Sequence, residues 1–428
     1  MIEFIIFGFN LLLINIIFFN PLLFAITTRN KYFKNIQNVE ILIYFIILIN
    51  FFLIFSFSNF LNKKLEIIFY LIFIISIFFI IFLNKKLIKS NYFIDLFFIF
   101  LISLILTINI FSNPLLGWDG NFWIEKAQIF YKGGSFIDLR ETIFPNYPHL
   151  GGYLWGIFWK SSILDYEIIG RASFVLIYVF SIYQLCSSYK FNYFHKLICV
   201  LILITLTYRV EHFVGYQDIL IFSFILFSYI LLNKYKENPS IFNLIIFNFS
   251  ISLLLWIKNE GIISYFIFFI LFLFLNKKNK IIYHVYIFII LYFVLLISKF
   301  LIFYYLNNNL VLQDGISFYN LNSNLSNPSL LISKILIILK FFLVKIFYIP
   351  LFITMFFLIV FAKSIRIDEI IFCLLVLALY SLPYLFSSDA FDNSRLVWHL
   401  KTSYDRMLLQ CVAFFLPFSL KCLKNFLK

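Results

Sequence analysis

Charged residues are scarce in this sequence. Asp, Glu, Lys and Arg together make up 13% of its 428 residues, whereas 63% are hydrophobic and the mean hydropathy is +0.99. A water-soluble globular chain carries about 25% charged residues, so this composition excludes a soluble globular protein. Because open sheet edges cannot be satisfied in bilayer hydrocarbon, the composition predicts an all-α polytopic membrane protein.

Motifs for nucleotides, structural zinc and nucleophilic hydrolysis are also missing. The sequence contains no GxxxxGK[ST], no GxGxxG after a strand, no HExxH and no GxSxG. Its five cysteines form no CxxC pair, which argues against a structural zinc site and against a disulfide framework. These absences leave no visible nucleotide site and no zinc-hydrolase signature.

Basic residues are in excess, but they lie in short clusters between apolar runs. The formal net charge is +14. Arg29, Lys31 and Lys34 form one cluster, and Lys85 and Lys86 begin another. Such clusters follow the positive-inside pattern of membrane proteins, in which anionic lipid headgroups are the simplest partner. The sequence therefore indicates membrane lipids, and no nucleic acid, as partners.

Apolar runs of about 20 residues predict about thirteen membrane helices in a single membrane domain without a soluble domain. The first run, from Ile5 to Ile26, is too long for a signal-peptide core and is predicted to be a membrane helix. The predicted spans lie near 4–27, 41–60, 66–84, 94–112, 171–188, 196–210, 217–233, 241–257, 261–276, 282–303, 346–362, 369–386 and 406–421.

The basic clusters also predict the orientation of these helices. With the cluster at Lys85 inside, the span at 94–112 exits and places Asp119 outside, in a first large outer loop at 113–170. Most later clusters agree with this orientation. Two further stretches, 151–164 and 330–345, are apolar but contain lysines, and are predicted to be amphipathic helices lying in the outer interface.

Most other charged residues concentrate at the predicted outer ends of helices. A charge at a helix end is cheap, but several sequence-distant groups on one face of the membrane predict a polar cavity open to the outside. The candidate catalytic and binding residues in these groups are Asp119, His149, Arg171, Asp218, Lys258, Glu260, Lys401 and Arg406.

Asp119 precedes a segment with helical periodicity. From Asn121 to Lys132, one face presents Trp123 and other apolar residues, whereas Asn121, Glu125 and Lys132 lie on the opposite face. This pattern predicts a helix lying on the membrane. Asp119 is then either the N-cap of that helix or a carboxylate held above the bilayer, where it could take a proton from a hydroxyl.

Three other candidates each have two interpretations. Lys258 and Glu260 lie between two apolar runs with almost no loop, and therefore either pair with each other at the membrane boundary or line the cavity. Asp218, where an outer loop enters the membrane, is either a helix cap or a site residue. Arg406 needs an anion, which is either Asp405 or the phosphate of a lipid.

The segments "WDGNFWIEKA", "YPHL", "GYQDI", "WIKNEG" and "YDRMLL" occur in an order that resembles the GT-C membrane glycosyltransferases. The similarity is to the bacterial branch that includes protein O-mannosyltransferases and lipopolysaccharide-core or lipid A sugar transferases. The matching segments run from about Trp118 to Leu409, and the resemblance implies a GT-C-like membrane domain at 94–428 with additional N-terminal helices at 1–93. The resemblance implies a bacterial plasma-membrane protein whose active site faces the periplasm.

The resemblance also implies roles for particular residues. Asp119 would be the catalytic base, Asp218 would be the acidic residue of the second outer loop, and Arg406 would bind the phosphate of a polyprenyl-phosphate sugar donor. His149, Arg171, Lys258, Glu260 and Lys401 are further candidates for substrate or donor binding. The acceptor would be a glycan, a lipid or a protein. The alternatives are a flippase or transporter of lipid-linked glycans, or an O-antigen-type polymerase or ligase.

A cofactor is not obligatory in such a reaction, because polyprenyl phosphate is already a fair leaving group. Asp119 together with Asp218 or Glu260 could still hold a divalent metal ion.

Overall fold

The computed structural model describes residues 92–111, 118–145, 147–160, 166–189, 191–276, 282–307, 326–345, 353–354, 367–386 and 393–426, together with Gly8. The spans predicted at 4–27, 41–60, 66–84 and 346–362 therefore lie outside the described residues, apart from Gly8 and 353–354. In the described part of the chain, all regular structure is helical.

Twelve α-helices account for nearly all of this part. Short 3-10 helices at Ile137–Glu141 and Val210–Phe213 lie in two of the connections. In chain order the α-helices are α1 (Tyr92–Phe111), α2 (Trp118–Tyr131), α3 (Leu150–Lys160), α4 (Glu167–Ser188), α5 (Tyr193–Thr207), α6 (Asp218–Glu237), α7 (Ile241–Ile257), α8 (Gly261–Asn276), α9 (Ile282–Asn307), α10 (Pro328–Lys345), α11 (Ile367–Phe386) and α12 (Asn393–Phe426).

Helix α6 lies at the centre of the bundle. Its residues from Asp218 to Leu232 are buried on every side of the helix, as expected of a helix that is apolar all round. It packs against α4, α7 and α12. Because Asp218 is the first residue of this central helix, its carboxylate is held where several other helices end.

Five of the described helices are long and apolar enough to cross a membrane, namely α4, α6, α9, α11 and α12. Helices α9 and α11 lie at the periphery and expose large apolar side chains, among them Phe293, Ile297 and Ile371. Continuous apolar surface of this kind is stable against lipid tails and costly in water. These are the features of a membrane-embedded helical protein.

Helix α3 differs from the sequence-based expectation of an amphipathic interfacial helix at 151–164. Its residues from Leu150 to Phe158 are all buried, because α3 is packed between α2 and α4. Glycines make this close approach possible, since a Cβ on Gly156 would lie only 2.4 Å from the backbone oxygen of Ala127. Hydropathy alone could not distinguish contact with lipid from contact with neighbouring helices.

Helix α2 begins earlier than expected and packs against a different partner. It starts at Trp118, so Asp119 lies in its first turn and does not precede it as a cap. The face that contains Trp123, Ala127 and Phe130 is buried, and α2 packs against α3. The predicted division of faces agrees with the burial, but the apolar face contacts protein where the membrane surface was expected.

A loop with a left-handed glycine leads from the 3-10 helix Val210–Phe213 into α6 and packs against α2. Gly215 has φ +98°, a conformation that residues with a side chain rarely adopt. An added Cβ there would lie 2.8 Å from the Cα of Gly120. This close approach fixes the loop before Asp218 against α2.

Candidate functional site

A cavity of about 530 Å³, lined by both charged and aromatic side chains, lies at the end of the bundle where α6 begins. Its walls are formed by α2, the loop after α2, the segment just before α6, the turn between α7 and α8, and the first half of α12. It is lined by Phe122, Trp123, Lys126, Phe144, Tyr147, Tyr216, Lys258, Glu260, Trp398, His399, Thr402, Ser403 and Arg406.

Asp218 is the centre of a charged network at the base of this cavity. Its carboxylate is fully buried and accepts hydrogen bonds from Lys258 Nζ at 3.2 and 3.3 Å. Gln410 Nε2 donates to Oδ1 at 2.9 Å, and Arg406 Nη1 lies 3.5 Å from Oδ2. Because the carboxylate sits at the N-terminus of a helix, the helix dipole also favours its negative charge. Three elements are therefore joined through one side chain.

Lys258 bridges two carboxylates because of the tight turn between α7 and α8. Helix α7 ends at Ile257, Lys258 is extended, and α8 begins three residues later at Gly261. Lys258 Nζ lies 3.1 Å from Glu260 Oε1 and also contacts Asp218. Both sequence-based interpretations of Lys258 and Glu260 apply, because the two side chains pair with each other and both line the cavity.

Arg406 extends from α12 into the cavity. Its guanidinium lies over the ring of Tyr216, with the central carbon 4.3 Å from the ring centroid. Its contact with Asp218 is the longest of the three to that carboxylate. A planar guanidinium held over an aromatic ring at a cavity wall is well placed to bind a phosphate or carboxylate group.

Helix α2 contributes an almost fully buried lysine to the cavity wall. Lys126 is 1% exposed, its Nζ donates to the backbone oxygen of Tyr147, and it lies 5.8 Å from the ring centroid of Trp123. Burial lowers the pKa of Lys126 to about 7, although the neighbouring Glu125 raises it in part. The ammonium group is thus partly deprotonated near neutral pH.

His149 lies behind the cavity and does not line it. It is 1% exposed and packs edge-on against Phe136, with its ring 5.2 Å from that of Trp256. Burial and the positive charges of Lys126 and Lys299 lower the pKa of His149 well below its ordinary value. The imidazole is therefore neutral at physiological pH.

Two other predicted site residues, Arg171 and Lys401, do not line the cavity. Arg171 is buried and donates through Nε and Nη2 to Glu167 at 2.9 and 2.8 Å, and it does not line the cavity. Lys401 is exposed on α12 and is likewise not a lining residue. The side chain of Asp119 lies outside the described residues, although its backbone belongs to α2.

Several residues of the site were not singled out from the sequence. Gln410 follows Arg406 by one helical turn, and its position as a polar residue within an apolar run was a readable signal. Lys299 does not line the cavity, but it is 3% exposed and lies in a stretch of α9 that is long and apolar enough to cross a membrane. An ionisable residue inside a membrane helix is by default a candidate site residue. Tyr216 gave no signal in the sequence.

His212 is another buried polar residue close to the network. It is 4% exposed, and neither ring nitrogen has a hydrogen-bond partner among the described residues. Burial lowers the pKa of His212 to about 4, with the charges of Asp218 and Arg406 acting in opposite directions. It contributes a neutral imidazole beside Asp218.

The described residues do not bring together three His, Cys, Asp or Glu side chains that could hold a metal ion. Asp218 is already contacted by three donors, so it is a poor metal ligand in this arrangement. Glu260 also lines the cavity, and its Oε1 contacts Lys258 whereas its Oε2 has no hydrogen-bond partner among the described residues.

Comparison with known proteins provides no family for this chain. No family model matches it, and neither a curated protein nor a solved structure is detectably similar. A function must therefore be argued from the cavity and its residues.

Proposed function

We propose that the protein is an integral membrane glycosyltransferase that moves a sugar from a polyprenyl-phosphate donor to an acceptor hydroxyl. The main support is the cavity itself, which combines aromatic rings with charged groups at one end of a membrane-type helical bundle. Four sequence-predicted residues, Asp218, Lys258, Glu260 and Arg406, contact one another there.

The donor phosphate would bind at Arg406, assisted by Lys258. Arg406 already faces the cavity over Tyr216, and its long contact with Asp218 can be exchanged for a phosphate oxygen. Asp218 would then act as an orienting carboxylate that holds both basic groups in place. The rings of Trp123, Phe122 and Trp398 offer flat surfaces against which a sugar can pack.

The reaction would be a single displacement at the sugar. The acceptor oxygen forms a bond to sugar C1 while the bond from C1 to the phosphate oxygen breaks, and polyprenyl phosphate leaves with the electron pair. Asp119 would accept the proton of the acceptor hydroxyl. By helical spacing, position 119 precedes Phe122, Trp123 and Lys126 by three, four and seven residues, and these three residues line the cavity.

The wider context of this proposal is a GT-C-like domain with about thirteen membrane helices. Its polar end would face the periplasm of a bacterial plasma membrane, where donors are linked to lipids and nucleotide sugars are not supplied. A divalent metal ion is not required by the displacement, and Glu260 with Asp119 would be its ligands if one takes part.

Arg406→Gln tests the donor site. The substitution keeps a polar side chain but removes the charge, and a charge-assisted hydrogen bond is worth about 1.5–3 kcal/mol. We expect the KM for a radiolabelled polyprenyl-phosphate sugar to rise roughly 10- to 100-fold, measured with purified protein and native membrane lipids as acceptors.

The matched control is Arg140→Gln, which changes an exposed arginine in the 3-10 helix that follows α2. It should leave the KM unchanged. An unchanged KM in Arg406→Gln would contradict the assignment of the donor site. If the wild type transferred label from no donor, a flippase of lipid-linked glycans would become the better account.

A further inference from the structure

One wall of the cavity is aromatic and comes from α2 and the loop that follows it. The ring centroids of Phe122 and Phe144 lie 4.5 Å apart, and the two rings are nearly perpendicular at 89°. Phe144 contacts Tyr147 in the same edge-to-face arrangement at 5.5 Å. Trp123 supports these rings, since it is 3% exposed and its ring lies 5.6 Å from that of Tyr147. We call these four cavity-lining side chains the aromatic wall.

Two polar side chains of α2 hold the loop that contains Phe144 and Tyr147. Glu125 Oε2 accepts a hydrogen bond from the backbone N–H of Ile143 at 3.2 Å, and Lys126 Nζ donates to the backbone oxygen of Tyr147. These bonds fix the backbone just before Phe144 and at Tyr147, so the rings are positioned before any ligand binds. A preorganised surface of this kind loses little conformational entropy on binding.

The other walls of the cavity contain charged side chains. Lys258 and Glu260 come from the α7–α8 turn, and Arg406 comes from α12. Glu260 pairs with Lys258 through Oε1, whereas Oε2 is buried and has no hydrogen-bond partner among the described residues. An unsatisfied buried acceptor is costly. A hydroxyl group of a ligand would supply the missing donor.

A cavity with one aromatic wall and charged groups on its other walls matches the surface of a sugar ring. A pyranose has a face of C–H groups, which packs against aromatic rings, and a rim of hydroxyl groups, which donate to carboxylates. A hydrocarbon chain in the same cavity would take Lys258, Glu260 and Arg406 out of water without replacing their hydrogen bonds. The arrangement therefore favours a saccharide over an alkyl chain.

The elements that form the aromatic wall indicate which substrate it binds. In a single displacement, the attacking oxygen and the leaving phosphate lie on opposite sides of sugar C1. The donor phosphate is assigned to Arg406 on α12, whereas the aromatic wall belongs to α2 and its loop. Position 119 precedes Phe122 by one helical turn on α2, so a base at that position lies beside this wall. The aromatic wall therefore suits the substrate that attacks.

We propose that the aromatic wall is the acceptor subsite of the cavity and that the acceptor is a saccharide. This inference rests on the proposed glycosyltransferase function. A hydroxyl oxygen of the sugar packed on Phe122 and Phe144 forms the bond to C1 of the donor sugar, and its proton passes to Asp119. The bond from C1 to the phosphate oxygen breaks, and polyprenyl phosphate leaves with the electron pair.

Binding of simple sugars tests the subsite without any transfer reaction. Protein in lipid nanodiscs is saturated with farnesyl phosphate, a short polyprenyl phosphate that occupies the donor site. Saturation-transfer difference NMR is then recorded with the methyl α-glycosides of glucose, galactose, mannose and N-acetylglucosamine. We expect at least one glycoside to bind, with the strongest saturation on the C–H protons of one ring face. Phe122→Leu and Phe144→Leu keep an apolar side chain but remove the flat ring, and should weaken this binding roughly three- to tenfold.

Phe97→Leu is the matched control, because Phe97 is exposed on α1 and does not line the cavity. This variant should bind the glycoside as the wild type does. Farnesyl phosphate should bind equally to all the leucine variants, which also shows that they are folded. Arg406→Gln should give the reverse result, with weaker binding of farnesyl phosphate and unchanged binding of the glycoside.

The transfer assay separates an acceptor subsite from a subsite for the donor sugar. With the bound glycoside as acceptor and a radiolabelled polyprenyl-phosphate sugar mixture as donor, Phe144→Leu should raise the KM for the glycoside roughly three- to tenfold. The KM for the donor should stay unchanged. A rise confined to the KM for the donor would assign the aromatic wall to the donor sugar and would overturn the proposal.

The proposal is also overturned if none of these glycosides binds, or if Phe122→Leu and Phe144→Leu both bind them as the wild type does. Saturation of N-acetylthreonine amide in place of the glycosides would identify a protein acceptor instead. Loss of farnesyl phosphate together with the glycoside in both variants would show that the two subsites are not separate. A wild type that binds a glycoside but transfers no sugar would remove the proposed reaction and leave a saccharide-binding site.

Discussion

Asp218 is the residue on which the geometry of the cavity depends most. It is fully buried, and its two oxygens receive three side chains that come from the α7–α8 turn and from α12. Its own helix is the central one of the bundle. Removing the carboxylate would leave two buried cations facing each other, which is the costly way to break a buried ion pair.

Asp218→Ala should therefore destabilise the protein strongly, by about 3–5 kcal/mol in the free energy of unfolding. The thermal unfolding midpoint in detergent or nanodiscs is the measurement. Glu211→Ala, which removes an exposed carboxylate from the same loop, is the control and should shift the midpoint little. Similar midpoints for the two variants would show that Asp218 does not hold the network together.

Many of the site residues could be identified from the sequence, but the contacts between them could not. The sequence indicated four of these residues as site candidates because they are charged and lie at predicted helix ends near the membrane surface, namely Asp218, Lys258, Glu260 and Arg406. Only the fold shows that they contact one another. Arg171 does not line the cavity, and it pairs with Glu167 at the i, i+4 spacing that the sequence makes visible.

Lys299 could have been found from the sequence alone. It is a single lysine within a long apolar run, and this pattern is itself a signal of function in membrane helices. Its burial and the absence of a salt bridge within the described residues depend on packing, which no local pattern reports.

The element that positions the cavity wall is α2, and its support is the glycine-rich α3. A Cβ on Gly152 would lie 2.9 Å from the Cβ of Lys126, and one on Gly156 would meet the backbone oxygen of Ala127 at 2.4 Å. Because Phe122, Trp123 and Lys126 line the cavity, any shift of α2 also changes the site.

Gly156→Ala should displace α2, since backbone atoms cannot rotate away as a flexible side chain can. We expect a destabilisation of about 1–3 kcal/mol and a fall in transfer activity. Thermal unfolding and the transfer assay are the measurements. Gly8→Ala is the control, because an added Cβ there meets no described residue within 4 Å. An unaltered midpoint in Gly156→Ala would mean that the two helices can separate at little cost.

The helices themselves could largely be predicted from hydropathy. The expected spans at 241–257 and 261–276 coincide with α7 and α8. Hydropathy did not reveal that the apolar surface of α3 is covered by α2 and α4. The start of α2 was also predicted too late in the sequence, because helix ends depend on local contacts such as that of Gly215 with Gly120.

The molecule as a whole is polar at both ends of its helices and apolar between them. Helix α6 begins at the Asp218 network and has Lys234 and Lys236 in its last turn, and its 20 residues span about 30 Å by the rise of an α-helix. This distance is the thickness of a bilayer core. Composition alone predicted the helical membrane class, but it could not tell which polar end contains a cavity.

The two ends of the helical bundle differ in how their charged side chains are paired. At the end opposite the cavity, Lys196 pairs with Asp95 and Lys421 pairs with Glu369, so these charges are satisfied within the protein. At the cavity end, two buried lysines form no salt bridge within the described part of the chain. The two ends therefore differ in how far their lysines are paired within the described residues.

The measurement that tests this account most directly is transfer of label from a radiolabelled polyprenyl-phosphate sugar mixture by the wild type and by Asp119→Asn, with native membrane lipids as acceptors. Asp138→Asn, whose carboxylate accepts from Ser135 in the following loop, is the control. The account predicts transfer by the wild type and the control, and a loss of roughly 100-fold or more in a folded Asp119→Asn that still binds the donor. Undiminished transfer by Asp119→Asn would contradict it.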